Sequence, residues 1–175
     1  MSRLFGPIRQ CGIVVPSLDR ALDYWTGVLR IGPFFRINHL ELDYFRFRGQ
    51  QSEVDLSIAL ANSGDMQIEL IEQHNDAPSP YLDFLKQHGP GLQHYSVWSE
   101  TYDSDMQRFA GEGVKVLVEG QISNGSYFAY FEGGEDAQPM MEIADLTSTA
   151  AELFKMIRDE AAGWDGSDPI RILQL

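Results

Sequence analysis

The chain has 175 residues, of which 43% are hydrophobic, and this composition fits one compact domain with a buried core. Its formal net charge of −13 argues against nucleic acid as a partner, because such a chain repels phosphates and its cations form no basic stripe. The single cysteine, Cys11, excludes an internal disulfide, and no run approaches the roughly 18 apolar residues of a membrane span. The N-terminus lacks the apolar stretch of a secretory signal, so we expect a cytoplasmic protein.

The pattern strand, helix, strand, strand, strand occurs twice along the chain. The β-branched run from Ile8 to Val15 ends at Pro16 and predicts a strand, and Ser17 stands where a helix N-cap belongs. The first half is predicted to contain this strand at 8–15, a helix that reaches position 29, and strands at 34–48, 54–61 and 66–72. After a short helix at 81–87, the second half is predicted to contain strand 94–98, helix 101–111, strands 114–119, 126–132 and 139–144, and turns at 120–125 and 133–136.

An amphipathic helix at 147–162, capped by Thr147 or Ser148, and a short apolar tail at 170–175 follow the second half. We therefore interpret the chain as a single domain of two modules. The modules span about 7–73 and 92–146, joined by a linker at 74–91 and followed by a C-terminal helix and tail at 147–175.

Four residues that can donate to a divalent metal occupy equivalent positions in the two halves. Aligning the halves pairs Gln10 with His94 near the start of each module, and Glu69 with Glu142 in its last strand. Period-two alternation places each of these side chains on the face turned away from the module's helix, with Cys11 on the helix side. An isolated buried carboxylate is costly unless it is paired or bound to a metal. The repeat therefore favours one shared cation at the junction of the modules.

Other residues bear on the ligand. The predicted strands are crowded with aromatic side chains, some of which should line a pocket, so we expect a small-molecule substrate with an apolar or aromatic part. The acidic charge still permits an anionic substrate held by Arg36, Arg46 or Arg48. The remaining histidines, His39, His74 and His88, lie at loops or strand ends and are interpreted as surface residues.

The repeated module order resembles the vicinal oxygen chelate superfamily, which includes glyoxalase I, methylmalonyl-CoA epimerase, extradiol dioxygenases and the bleomycin and fosfomycin resistance proteins. The resemblance covers roughly 7–146. It rests on Ile-Arg-Gln-Cys-Gly-Ile-Val-Val-Pro-Ser-Leu-Asp at 8–19, Ile-Glu-Leu-Ile-Glu at 68–72, Gly-Leu-Gln-His at 91–94 and Met-Glu-Ile at 141–143.

The resemblance implies an α+β fold in which two βαβββ modules form an open, cup-shaped mixed sheet around one divalent metal, with a C-terminal helix added. Carried over by position, the ligands are Gln10, Glu69, His94 and Glu142, and the metal is Zn, Ni, Co, Mn or Mg. A homodimer is also implied, since related proteins commonly form one. The implied enzyme is a lyase or isomerase of the glyoxalase or epimerase type, which abstracts a proton next to a chelated carbonyl and stabilises the enediolate. Glu142 is the expected base, and Glu69 serves the opposite face.

Gln10 departs from the histidine that many bacterial members carry at this position, and two readings follow. The set Gln, Glu, His, Glu resembles that of zinc glyoxalases of the human type, which implies a working metal site. A weakened or lost site instead implies a non-catalytic small-molecule binding or resistance-type protein on the same fold.

Overall fold

The computed structural model of the chain describes residues 2–133 and 139–174. These residues form four helices and eleven strands, and the strands join into one mixed sheet. In chain order the elements are β1 (Gln10–Val14), α1 (Leu18–Gly27), β2 (Phe34–Ile37), β3 (Leu42–Phe47), β4 (Gln50–Gln51), β5 (Leu56–Ser63), β6 (Met66–Gln73), α2 (Pro80–His88), β7 (Gly91–Ser99), α3 (Tyr102–Gly111), β8 (Val116–Ile122), β9 (Tyr127–Phe131), β10 (Met140–Asp145), α4 (Ser148–Ala162) and β11 (Ile170–Leu173). The α+β architecture predicted from the sequence, an open cupped sheet with a C-terminal helix, is confirmed.

The internal repeat is visible in the order of the strands. The sheet runs β11-β2-β5-β6-β1-β7-β10-β9-β8-β3-β4. In each half the first strand pairs in parallel with the last one, β1 with β6 and β7 with β10. The two halves meet where β1 and β7 run antiparallel. Side chains from one face of these four strands therefore come together at the centre of the sheet.

The helices begin where the sequence carries capping residues. The Ser79 hydroxyl accepts from the Leu82 amide at 2.9 Å, and Pro80 follows at the first helical position of α2. The Thr147 hydroxyl accepts from the Ala150 amide at 3.2 Å and so starts α4 directly after β10. Within the described part of the chain, no helix has both the length and the apolar character needed to cross a membrane.

The helices cover the sheet on both faces. One apolar cluster packs α1 against the outer face of the first half, and a second packs α3 against the outer face of the second half. The largest cluster lies on the inner face, where α4 contributes Leu153, Phe154, Met156 and Ile157. Since α4 sits inside the cup, both faces of β5 are covered and seven of its eight residues are buried.

The single strand predicted at 34–48 is wrong. The segment forms two strands, β2 and β3, because they pair with strands from different halves, β2 with β5 and β3 with β8. The tail forms a further strand, β11, parallel to β2. The strand β8 extends to Ile122, so the turn predicted at 120–125 starts later. The turn predicted at 133–136 lies outside the described residues from position 134 onward.

Candidate active site

The four repeat-related residues lie on the central strands of the sheet. Gln10 and His94 are on β1 and β7, and Glu69 and Glu142 are on the strands beside them, β6 and β10. Gln10, Glu69 and Glu142 line one cavity of about 100 Å³ on the concave face, where strand alternation placed them. The structure therefore gathers these side chains at the junction of the two halves.

His94 occupies the centre of this group with an unpartnered ring nitrogen. Its side chain is fully buried, and its Nε2 lies 3.4 Å from Glu69 Oε2 and 3.5 Å from Glu142 Oε2 without a hydrogen bond. Its Nδ1 is 2.7 Å from the side-chain oxygen of Gln93, which only accepts, so Nδ1 carries the proton. The lone pair on Nε2 then faces two carboxylates. Such an arrangement of acceptors requires a proton or a cation between them.

The electrostatics of the group reflect the same crowding of acceptors. Burial disfavours the charged form of His94, but the carboxylates of Glu142 and Glu69 outweigh burial and raise the His94 pKa. Burial also raises the pKa of Glu142, and the charge of Glu69 adds to this effect against the opposing influence of His94 and of hydrogen bonds from Ser96 and Tyr130. Without a cation, the folded protein thus favours holding protons here.

Gln10 is anchored by its neighbour on β6. Its side-chain nitrogen donates to Gln67 Oε1 at 2.9 Å, and the two residues are paired in the parallel register of β1 and β6. Since the nitrogen is engaged, the carbonyl oxygen of Gln10 is the atom left to serve as a metal ligand.

The donor set fits a divalent metal in type and largely in spacing. Two carboxylates, one imidazole and one amide oxygen suit Zn²⁺ and related ions. Donors at zinc–ligand distances of about 2.1 Å stand about 3.4 Å apart in a tetrahedron, which matches both His94–carboxylate distances.

Several residues that build the site were missed by sequence reasoning. Gly12 leaves the space that the His94 ring fills, and Gln93 orients that ring. Tyr81 donates to the hydroxyl of Tyr130 at 3.0 Å, and Tyr130 in turn favours the charged form of Glu142. The sequence signals were the positions of Gly12 and Gln93 close to predicted donors and of Tyr130 in the aromatic strand β9. Tyr81 had no such signal, because its partner Tyr130 lies 49 positions away along the chain.

The cavity around the site has apolar walls. Its lining includes aliphatic and aromatic side chains from β2, β5, β8 and β9, and α4 closes it with Ala150, Leu153 and Phe154. Arg36, Arg46 and Arg48 are not among the lining residues. Each pairs with a carboxylate elsewhere on the surface: Asp19, Glu119 and Asp83, respectively. The expected alternative of an arginine clamp for an anionic substrate therefore has no support in this cavity.

Comparisons with known proteins agree with the architecture. A family model described as the glyoxalase/bleomycin resistance protein/dioxygenase superfamily matches residues 9–131. No curated protein sequence matches the chain. Among solved structures, methylmalonyl-CoA epimerase from Mycobacterium tuberculosis is 18% identical with a TM-score of 0.60, covering 86% of this chain and 95% of that one.

Two further solved structures are similar at the same level. A Streptomyces coelicolor methylmalonyl-CoA epimerase variant in complex with 2-nitronate-propionyl-CoA is 18% identical with a TM-score of 0.56, covering 79% of this chain and 95% of that one. A hypothetical protein from Bacillus halodurans C-125 is 20% identical with a TM-score of 0.57, covering 79% and 93%. Identities this low show a shared fold.

The family match covers more than half of the chain. It includes Gln10, Glu69 and His94, whereas Glu142 lies beyond its end on β10. The resemblance to the vicinal oxygen chelate superfamily is thereby confirmed. The chain belongs to the glyoxalase, bleomycin resistance protein and dioxygenase superfamily.

Proposed function

We propose that this protein is a metal-dependent lyase or isomerase that removes a proton next to a substrate carbonyl. The observation that carries the proposal is the buried His94 Nε2, which lacks a hydrogen bond and faces the carboxylates of Glu69 and Glu142 at 3.4 and 3.5 Å. Buried polar atoms in folded proteins nearly always have a hydrogen-bond partner, and a bound cation would provide a partner for His94 Nε2.

The metal would be held by Glu69, His94, Glu142 and the carbonyl oxygen of Gln10. When bound, a divalent ion would polarise a substrate carbonyl and stabilise the negative charge that develops on its oxygen. Gln93 keeps the His94 ring oriented with Nε2 towards the site, which is the role that outer hydrogen-bond partners of metal-binding histidines play.

Glu142 is the proposed base. It takes the proton from the carbon beside the carbonyl and returns it to the adjacent carbon, or Glu69 delivers a proton to the opposite face of the same carbon, so the net proton count of the substrate is unchanged. Hydrogen bonding to Ser96 and Tyr130 favours the charged form of Glu142, which is the form that a base requires. Glu69 approaches His94 from the other half of the repeat and serves the opposite face of the substrate.

The cavity favours a neutral carbonyl compound with an apolar or aromatic part. Its charged lining residues are all acidic, Glu69, Glu142 and Asp145, and no described lysine or arginine lines it. The epimerase from Streptomyces binds a CoA derivative, and the phosphates of such a ligand would have to lie outside this cavity. Apolar walls and α4 surround the proton-transfer site, and such surroundings strengthen its electrostatic interactions.

The proposed chemistry is tested by following hydrogen exchange in deuterated water. Chelator-treated protein is reloaded with Zn, Ni, Co, Mn or Mg and incubated with small aromatic α-hydroxycarbonyl compounds, and proton NMR measures loss of the α-proton. We expect exchange that needs metal and that E142Q slows by at least about 100-fold. The exposed Glu152 on α4 provides the control E152Q, which should exchange like the wild type. Full exchange by E142Q, or equal exchange in excess chelator, refutes the proposal.

A second candidate function is metal-independent binding of an apolar small molecule. The specific observation in its favour is the hydrogen bond between Gln10 and Gln67, which satisfies Gln10 without a metal. This function requires that an aromatic ligand bind with the same affinity in chelator and in the E69Q variant. Metal-dependent affinity, or its loss in E69Q, eliminates this candidate.

A further inference from the structure

A second group of metal-binding side chains lies at the rim of the cup, outside the cavity site. His39 follows β2, Asp55 precedes β5 and His74 follows β6. Each offers one donor atom, and the three atoms lie within 4.8 Å of one another. The group is remote in sequence but close in space because β5 and β6 form an antiparallel pair whose ends bring Asp55 and His74 together.

Hydrogen bonds hold the two histidines in place around Ser57. The Ser57 hydroxyl accepts from the His39 amide at 3.1 Å and contacts His74 Nε2 at 2.7 Å. His39 Nδ1 lies 2.7 Å from Asp55 Oδ1, and the two imidazole rings have centroids 5.0 Å apart. His39 has a φ of +49°, in the left-handed region that non-glycine residues seldom adopt. The backbone is thus bent to bring the His39 ring beside the other two donors.

The chemistry of the group matches first-row transition metals. Two imidazoles and one carboxylate are the donors that Zn²⁺, Ni²⁺, Co²⁺ and Cu²⁺ prefer. Glu72 adds negative charge, with Oε1 3.8 Å from His74 Nδ1. The side chains of His39 and Asp55 are 69% and 39% exposed, so they are free to close to the donor separations of about 3.4 Å around a zinc ion. Their exposure also leaves coordination positions open to water.

We propose that His39, Asp55 and His74 form a second divalent transition-metal site, separate from the cavity site. A metal there ties the connection between β2 and β3 to the ends of β5 and β6. The neighbours Leu40 and Leu56 both line the cavity, and the Leu40 amide donates to the Leu56 carbonyl at 2.7 Å. The site therefore braces one wall of the cavity from outside, whether or not the cavity itself binds a metal.

Zinc titration of the metal-free full-length chain by calorimetry tests this site. The variant E69Q/E142Q disables the cavity site and should still bind one zinc ion. Adding H39N and H74Q to that variant should weaken this binding by at least about tenfold. Asparagine is the best replacement at position 39, because it tolerates the left-handed backbone. Circular dichroism confirms that each variant remains folded.

His88 supplies a matched control, since it is exposed at the end of α2 and does not belong to the donor group of His39, Asp55 and His74. H88N should leave the zinc isotherm unchanged. With Co²⁺, the ring resonances of His39 and His74 should shift and broaden in NMR spectra while those of His88 stay in place. A folded E69Q/E142Q variant that binds no zinc, or zinc binding that survives H39N and H74Q unchanged, overturns the proposal. A cavity that binds no metal does not contradict the proposal of a site at His39, Asp55 and His74.

Discussion

The imidazole of His94 lies against the backbone of Gly12, in the space that a β-carbon at position 12 would fill. Such a carbon would stand 1.8 Å from His94 Cε1 and 2.3 Å from Nε2. Gly12 and His94 are opposite each other on the antiparallel strands β1 and β7. The ring thus crosses from its own half of the sheet onto the other, and this crossing brings Nε2 between Glu69 and Glu142.

We expect G12A to displace the His94 ring and abolish metal binding in the cavity. The backbone and a fully buried ring cannot both keep their places, so the change should also destabilise the protein by about 1–3 kcal/mol. Chemical denaturation measures the stability, and zinc calorimetry in an H39N/H74Q background, which removes the second proposed site, measures the binding in the cavity. Gly27, at the end of α1 with open space around it, gives the control G27A, which should retain both properties. Unchanged zinc affinity in G12A contradicts the role assigned to this contact.

Replacing Glu142 should have opposite effects on stability with and without metal. In metal-free protein at about pH 8, E142Q should be more stable than the wild type by about 1–2 kcal/mol, because a neutral amide replaces a charge that burial disfavours. With saturating zinc the order should reverse, since the variant loses a ligand. Urea denaturation with and without chelator measures both differences. E152Q should change neither by more than about 0.5 kcal/mol. If the more stable of the two proteins is the same with zinc and with chelator, the result argues against Glu142 as a ligand.

The stability of the metal-free protein should fall as the pH rises. The pKa values of Glu142 and His94 are both raised in the folded state, above ordinary values of 4.5 and 6.5. The folded state therefore binds more protons than the unfolded state above these values, and each stabilising contribution is lost as the pH passes the folded pKa.

Denaturation of chelator-treated protein at intervals from about pH 5 to about pH 8 measures this trend. The stability of E142Q should fall less steeply with pH than that of the wild type, because the variant lacks the contribution of the Glu142 carboxyl. Zinc affinity should change in the opposite sense and rise with pH, since binding displaces the protons. Identical pH dependence in wild type and E142Q contradicts this assignment.

Phe154 should link α4 to the cavity. The centroids of the Phe154 and Trp98 rings lie 4.5 Å apart, and Phe154 lines the cavity. Because it is half-buried, F154A should cost about 1–3 kcal/mol of stability and widen the cavity for bulkier aromatic ligands. Thermal denaturation and ligand titration measure the two effects. The control V28A removes an apolar side chain that is 66% exposed and should change neither. Equal behaviour of both variants contradicts the placement of α4 over the site.

Strand alternation predicted the faces of the donors, because burial of one face is recorded in the local sequence. The alternation pattern alone therefore predicted that Gln10 and Glu142 lie on the concave face, where the structure shows them. The two-strand form of 34–48 and the strand β11 were missed, since their pairing depends on distant partners. His39 and His74 were interpreted as ordinary surface residues, and only the folded β5–β6 pair brings them to Asp55. The homodimer and the cytoplasmic location stay predictions.

Anomalous diffraction from crystals grown with zinc tests the central claim most directly, because it locates each ion and its ligands independently of turnover. We expect an ion bound by His94 Nε2, Glu69, Glu142 and the carbonyl oxygen of Gln10, with Gln93 still holding His94 Nδ1. A crystal structure in which these side chains keep their positions at saturating zinc, with no anomalous peak beside His94, contradicts the metal-dependent mechanism.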